Sequence, residues 1–127
     1  MKRVTLGKLK EIMSRDTRII QMLGLELAIF RLKTGEIRII ENECPKGGGK
    51  LSDGIVCDRF VFSPIYDYKI NLDDGRVGYP DSWQLRTYIT EVDRLSGMLV
   101  MLLEESDETT KYSSIADVKT QNIELAS

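Results

Sequence analysis

An all-β domain, built as an antiparallel sandwich or small barrel, is the fold this sequence predicts, on three observations. Apolar and polar residues alternate with period two in several short segments. Glycine-containing turns punctuate those segments, and the segments recur at the short spacing typical of sandwiches and barrels. Near the amino terminus Val4–Leu6 reads as an edge strand, Lys8–Met13 as a single helical turn, and Ile19–Met22 as a further strand. Leu25, Leu27 and Ile29 then alternate with Glu26 and Ala28. Thr34-Gly35 turns the chain, and Ile37 and Ile39 alternate with Glu36 and Arg38, so this is a hairpin with one buried face. Phe60 and Phe62 share a face of the next strand, and Tyr68, Ile70 and Leu72 alternate with Lys69 and Asn71 before Asp74-Gly75, where glycine supplies the positive φ of a tight turn. Thr87–Val92 and Met98–Leu103 form a last pair joined through Leu95-Ser96-Gly97.

With 127 residues the chain is about one domain long. Folding at this size hides roughly two-thirds of the unfolded surface, so a single core suffices without a disulfide or metal staple. Hydrophobic residues at 42% and charged residues at 30% exclude a collagenous, disordered or disulfide-scaffold chain. The longest apolar run, Met98–Leu103, is six residues, far short of the ~20 that cross a membrane. No apolar segment follows Met1-Lys2-Arg3, so a secretory signal is not expected and a cytoplasmic location is. A net charge of −2 makes no electrostatic case for nucleic acid or anionic lipid. Residues 1–103 carry 16 basic and 14 acidic side chains, whereas 104–127 carry 2 and 6. The domain is therefore expected to end at Leu103. Residues 104–127 then form an acidic tail, flexible or folded as a short docking helix with Ile115, Val118 and Ile123 on one side.

The chain has no histidine. That removes the Ser-His-Asp triad, the Cys-His pair and every imidazole-based zinc, haem or Rieske site. The two cysteines, Cys44 and Cys57, cannot supply a four-thiolate centre, and in a cytosolic chain they are expected as reduced thiols.

Two loops stand out. The first runs Asn42-Glu43-Cys44-Pro45-Lys46-Gly47-Gly48-Gly49-Lys50-Leu51-Ser52-Asp53-Gly54-Ile55-Val56, and the second begins Val61-Phe62-Ser63-Pro64-Ile65-Tyr66-Asp67-Tyr68. Together they resemble the two cluster-binding loops of Rieske-type ferredoxins, which read Cys-Pro-His with glycines and then Cys-Pro-x-His. Within that family the sequence is most similar to small subunits of assimilatory NAD(P)H nitrite reductase. The shared stretches are Leu51-Ser52-Asp53-Gly54-Ile55-Val56, the strand and turn Asp67–Gly75, Tyr79-Pro80-Asp81, and Arg86-Thr87-Tyr88, so the resemblance spans Val4–Leu103. It implies a Rieske-like domain with two loops at the former cluster site.

A Rieske centre takes two thiolates on one iron and two imidazoles on the other. The resemblance puts its ligand positions at Cys44, Lys46, Ser63 and Tyr66, and only Cys44 keeps the family's residue. No cluster, other cofactor or metal is therefore expected in this chain, and no catalytic residue. Gly47-Gly48-Gly49-Lys50 lacks the phosphate-loop pattern and reads as inherited turns. Cys44 reads as a packed residue in preference to a thiol activated by Lys46, while Lys46, Tyr66 and Asp67 are candidates for a hydrogen-bonded cluster at the loop tip. The resemblance implies a non-catalytic role, binding and stabilising a large subunit that carries FAD, sirohaem and an iron–sulfur cluster and reduces nitrite to ammonium with NAD(P)H. Lys46, Ile65, Tyr66 and Trp83, the last in the loop Gly78–Leu85 between strands, are the expected docking residues, with Ile65 and Trp83 as apolar anchors. The alternatives are a stand-alone cluster-free binding or regulatory module and an electron-transfer ferredoxin component. Self-association is left open.

Overall fold

The computed structural model describes residues 2–22, 24–44, 47–78, 83–104 and 124–126. The chain runs β1 (Lys2–Lys8), α1 (Leu9–Ile12), β2 (Thr17–Met22), β3 (Leu25–Arg31) and β4 (Ile37–Glu41). A 3-10 turn at Leu51–Asp53 leads to β5 (Ile55–Cys57), β6 (Phe60–Phe62), β7 (Lys69–Asn71), β8 (Arg76–Val77) and β9 (Trp83–Gln84). Then follow β10 (Thr87–Val92), β11 (Met98–Leu103) and β12 (Glu124–Ala126). Every pairing is antiparallel. One sheet has seven strands in the order β1-β11-β10-β4-β3-β2-β12, and the other has five in the order β5-β6-β7-β8-β9. The all-β expectation holds, with α1 a single helical turn that buries Ile12. No helix among the described residues is long and apolar enough to cross a membrane.

The core has two layers, which corrects the one-sided hairpin expected from alternation. Leu27 and Ile29 of β3 join Ile20, Met22, Ile37, Ile39, Leu99 and Met101 on one face of the large sheet, closed by Ile12 and Met13. Ala28, on the face that the alternation gives to water, packs instead with Phe30, Ile40, Val61, Ile70 and Val77 between the two sheets. β3 is thus buried on both faces, because the five-stranded sheet covers the second one. Full burial of a side chain such as Phe30, 1% exposed, contributes on the order of 2–3 kcal/mol.

Charges lock the end of the sandwich away from the two loops. The Arg59 guanidinium, on the β5–β6 turn, donates to both oxygens of Glu36 and both of Asp73 at 2.6–3.1 Å. Arg38 donates to the same two carboxylates at 2.7 and 2.8 Å. The turn of the large sheet's β3–β4 hairpin is thereby tied to two turns of the small sheet. Arg59 is the leading reason that Glu36 lies far below the ordinary carboxylate range and that Asp73 is pulled down to about 2.

The domain boundary expected at Leu103 is followed by one further strand: Glu124, Leu125 and Ala126 pair with Gln21, Ile20 and Ile19 of β2. Ile115, Val118 and Ile123, proposed as a helix face, lie outside the described residues.

Candidate functional site

The two loops leave neighbouring sheets and meet. The first leaves β4, and its departure is fixed by Asn42, 3% exposed. The Asn42 amide donates to Glu26 Oε2 at 2.8 Å and to Ser52 Oγ at 2.9 Å, while its carbonyl accepts from the Ser52 N–H at 2.8 Å. One side chain thus holds both ends of the loop, since Asn42 opens it and Ser52 lies in the 3-10 turn that closes it. Lys50 pairs with Glu26 at 2.8 Å. That ammonium, helped by the Gln21 and Asn42 amides, holds Glu26 below the usual carboxylate range against a smaller opposing effect of burial.

Cys44 follows, 2% exposed, with its N–H donating to the Gly49 carbonyl at 2.8 Å. Burial pushes its thiol up, and the Ser63 hydroxyl beside it offsets only part of that rise. Cys44 is therefore a protonated, packed thiol at neutral pH rather than an activated nucleophile. The glycines serve contact. A methyl at Gly48 would lie 2.6 Å from Cys44 Sγ, and one at Gly49, whose φ is +88°, would lie 2.9 Å from Pro64 Cγ. Glycine lets the first loop approach its own thiol and the second loop this closely.

Ser63, 4% exposed, organises the second loop. Its hydroxyl donates to the Ile65 carbonyl at 2.6 Å and accepts from the Tyr68 N–H at 2.8 Å, and its own N–H donates to the Tyr68 carbonyl at 2.9 Å. The hydroxyl bridges the donor and acceptor that would otherwise close the Ile65–Tyr68 turn directly. At the two central positions Tyr66 and Asp67 have φ of 66° and 54°, the left-handed pair of a primed turn that glycine and asparagine prefer. The loops touch directly where the Ile65 N–H donates to the Gly48 carbonyl at 3.2 Å.

The positions that the resemblance equates with cluster ligands therefore divide. Cys44 and Ser63 are buried together, whereas Tyr66 is 69% exposed at the tip with its ring against Tyr68 at a centroid distance of 5.8 Å. Lys46 lies outside the described residues, and so does its share in the proposed cluster with Tyr66 and Asp67. Ile65 is 47% exposed beside Tyr66. Trp83, expected in a loop, lies instead on β9, opposite Val77 and at the end of the small sheet from which the second loop emerges. It is 45% exposed. The two cysteines are unpaired, Cys44 buried and Cys57 exposed on β5. The structural use of the Ser63 hydroxyl went unread in the sequence, although serine two residues ahead of a turn is a common device for closing one.

One thiol, an engaged hydroxyl and an exposed phenol do not match the two thiolates and two imidazoles of a Rieske centre. Among the described residues, no three His, Cys, Asp or Glu side chains converge as a metal site.

Comparison with known proteins gives the site a context. Residues 3–100 match the Rieske-like [2Fe-2S] domain family. A solved structure described as the small subunit of an NADH-dependent nitrite reductase from Mycobacterium tuberculosis is 25% identical. It superposes with a TM-score of 0.67 over 81% of this chain and 96% of that one. A second nitrite reductase small subunit, of the NADPH type, has the same fold at 23% identity and a TM-score of 0.69, covering 81% of this chain and 100% of that one. The ferredoxin component of the naphthalene 1,2-dioxygenase system of Pseudomonas putida is 26% identical over 72% of this chain and 88% of its own length.

Proposed function

Because this chain belongs to the Rieske-like [2Fe-2S] domain family, we propose that it is a cluster-free member acting as the non-catalytic small subunit of an assimilatory nitrite reductase. It binds and stabilises the large subunit that carries the reaction, in the cytoplasm. The observation that carries this reading is the pairing of an intact scaffold with an exchanged donor set. Both loops keep their approach through Gly48, Gly49 and Ile65. Meanwhile the hydroxyl in a thiolate's place is committed to the Ile65 carbonyl and the Tyr68 N–H. A domain that retains its loops without the donors for iron keeps a use for their shape. The similarity to the Mycobacterium tuberculosis small subunit supports the choice of partner.

The docking face on this reading is the loop tip with its flank, formed by Ile65, Tyr66 and Trp83, all exposed, together with Lys46. Exposed aromatic and aliphatic anchors of this kind dominate interface energies. Similarity to a dioxygenase ferredoxin favours an electron carrier as the second reading. That role requires the cluster, and the donor set speaks against it. Co-expression with the large subunit tests the proposal. The two chains should co-purify, and the pair Ile65→Asp and Trp83→Ala should weaken the complex by on the order of a hundredfold. Co-purification unaltered by the pair refutes the docking face, and separate elution of the unaltered chains refutes the subunit role.

A further inference from the structure

Apart from β12, the large sheet is bounded by β1 and β2, and these two strands are built differently. β1 carries exposed Lys2, Arg3 and Lys8, and its pairing with β11 slips between Thr5 and Gly7. Charge and a bulge of this kind blunt an edge against further strands. β2 has neither device beside its apolar stretch. It pairs with β3 in unbroken register from Thr17 to Met22, and Ile19–Met22 holds no charge and no proline. Such an edge is a template for any extended strand that reaches it.

The ladder decides which groups of β2 face that edge. The Arg31 N–H donates to the Asp16 carbonyl at 2.8 Å, so the even-numbered residues of β2 bond to β3 and the odd-numbered ones turn N–H and C=O outward. Ile19 and Gln21 therefore present the outward groups, and they lie opposite Ala126 and Glu124 of β12. β12 lies beyond residues 3–100, the extent of the family match, and is joined to β11 through residues 104–123. At three residues it is itself a short edge that offers little to a further strand. We infer that β12 is a guard strand, occupying the edge of the large sheet at which this chain would otherwise pair with a second copy of itself. The edge is self-complementary. About a two-fold axis at Ile20, Ile19 of one copy exchanges both hydrogen bonds with Gln21 of the other. The same register sets Arg18 opposite Met22, so no like charges meet.

The test uses the full chain carrying Glu124→Pro and Ala126→Pro, which removes the two N–H groups that β12 offers to β2 and leaves residues 3–100 untouched. Amide exchange, run over a dilution series, is read by NMR, and mass is followed by sedimentation over the same series. The unaltered chain should keep Ile19 and Gln21 protected at every dilution. In the dilute variant those two amides should exchange on the order of a hundredfold faster, while Ile20, bonded to β3, keeps its protection. Raising the concentration should convert the variant to a dimer in which both amides are slowed again. Four results overturn the inference: exchange at Ile19 and Gln21 indifferent to the prolines, a variant monomeric at every concentration, a dimer that leaves both amides fast, or protection in the unaltered chain that vanishes on dilution.

Discussion

Replacing Ser63 with alanine isolates what now holds the second loop. The hydroxyl makes two hydrogen bonds, to the Ile65 carbonyl at 2.6 Å and from the Tyr68 N–H at 2.8 Å, at a residue 4% exposed. At about 1 kcal/mol for each neutral bond, Ser63→Ala should cost about 2 kcal/mol. For a domain of this length that lowers Tm by roughly 6–12 °C. Thermal unfolding followed by circular dichroism reads the loss, and amide exchange localises it, since the Tyr68 N–H should lose its protection. Ser63→Cys, which restores the thiol expected of a ligand, should also lower Tm, because S–H is a weak donor. A Tm change within about 1 °C, well below what two lost bonds imply, together with unaltered Tyr68 exchange, would refute the claim that the hydroxyl organises the loop.

Three further outcomes follow from the same geometry. Gly48→Ala drives a methyl to within 2.6 Å of Cys44 Sγ and 2.8 Å of its Cβ, and chemical denaturation should show a loss of about 1–3 kcal/mol. Adding Cys44→Ala should relieve it only in part, because the Cβ contact remains. In the Arg59 clamp the folded carboxylates titrate below their unfolded values, Asp73 at about 2 and Glu36 also depressed. Their stabilisation is therefore complete above the unfolded pKa near 4 and is lost as pH falls through the folded one. Arg59→Ala should lower Tm at neutral pH and flatten the acid dependence of Tm between roughly pH 4 and pH 2. Changing Tyr66 and Asp67 to Asn-Gly relieves two positive-φ positions and should raise stability by about 1–2 kcal/mol. The same change should weaken the complex with the large subunit, as pull-down titration would reveal.

Much of the scaffold was legible because it rests on period and turn chemistry. The β3–β4 and β10–β11 hairpins stand where the sequence puts them, and Gly75 and Gly97 take the positive φ their turns require. What escaped depends on neighbours that the pattern cannot see. Ala28 and Phe30 are buried only because a second sheet lies over them. β8 and β9, each two residues long, have no period to read, so Trp83 looked like a loop residue. At the site, the departures from the Cys-Pro-His and Cys-Pro-x-His patterns of the family it resembles are visible in the sequence itself. The roles of the residues there are not, because the bond from Ser63 to a carbonyl two residues away is a matter of backbone path, and the protonated state of Cys44 is a matter of burial.

Iron and acid-labile sulfide analysis of the chain, purified without oxygen from cells overproducing the iron–sulfur assembly machinery, tests the central claim most directly when joined to electron paramagnetic resonance of the reduced protein. The expected result is no bound iron and no signal, with the chain folded and able to capture its large subunit. Two irons and two sulfides per chain, with the spectrum of a reduced two-iron centre, would contradict it.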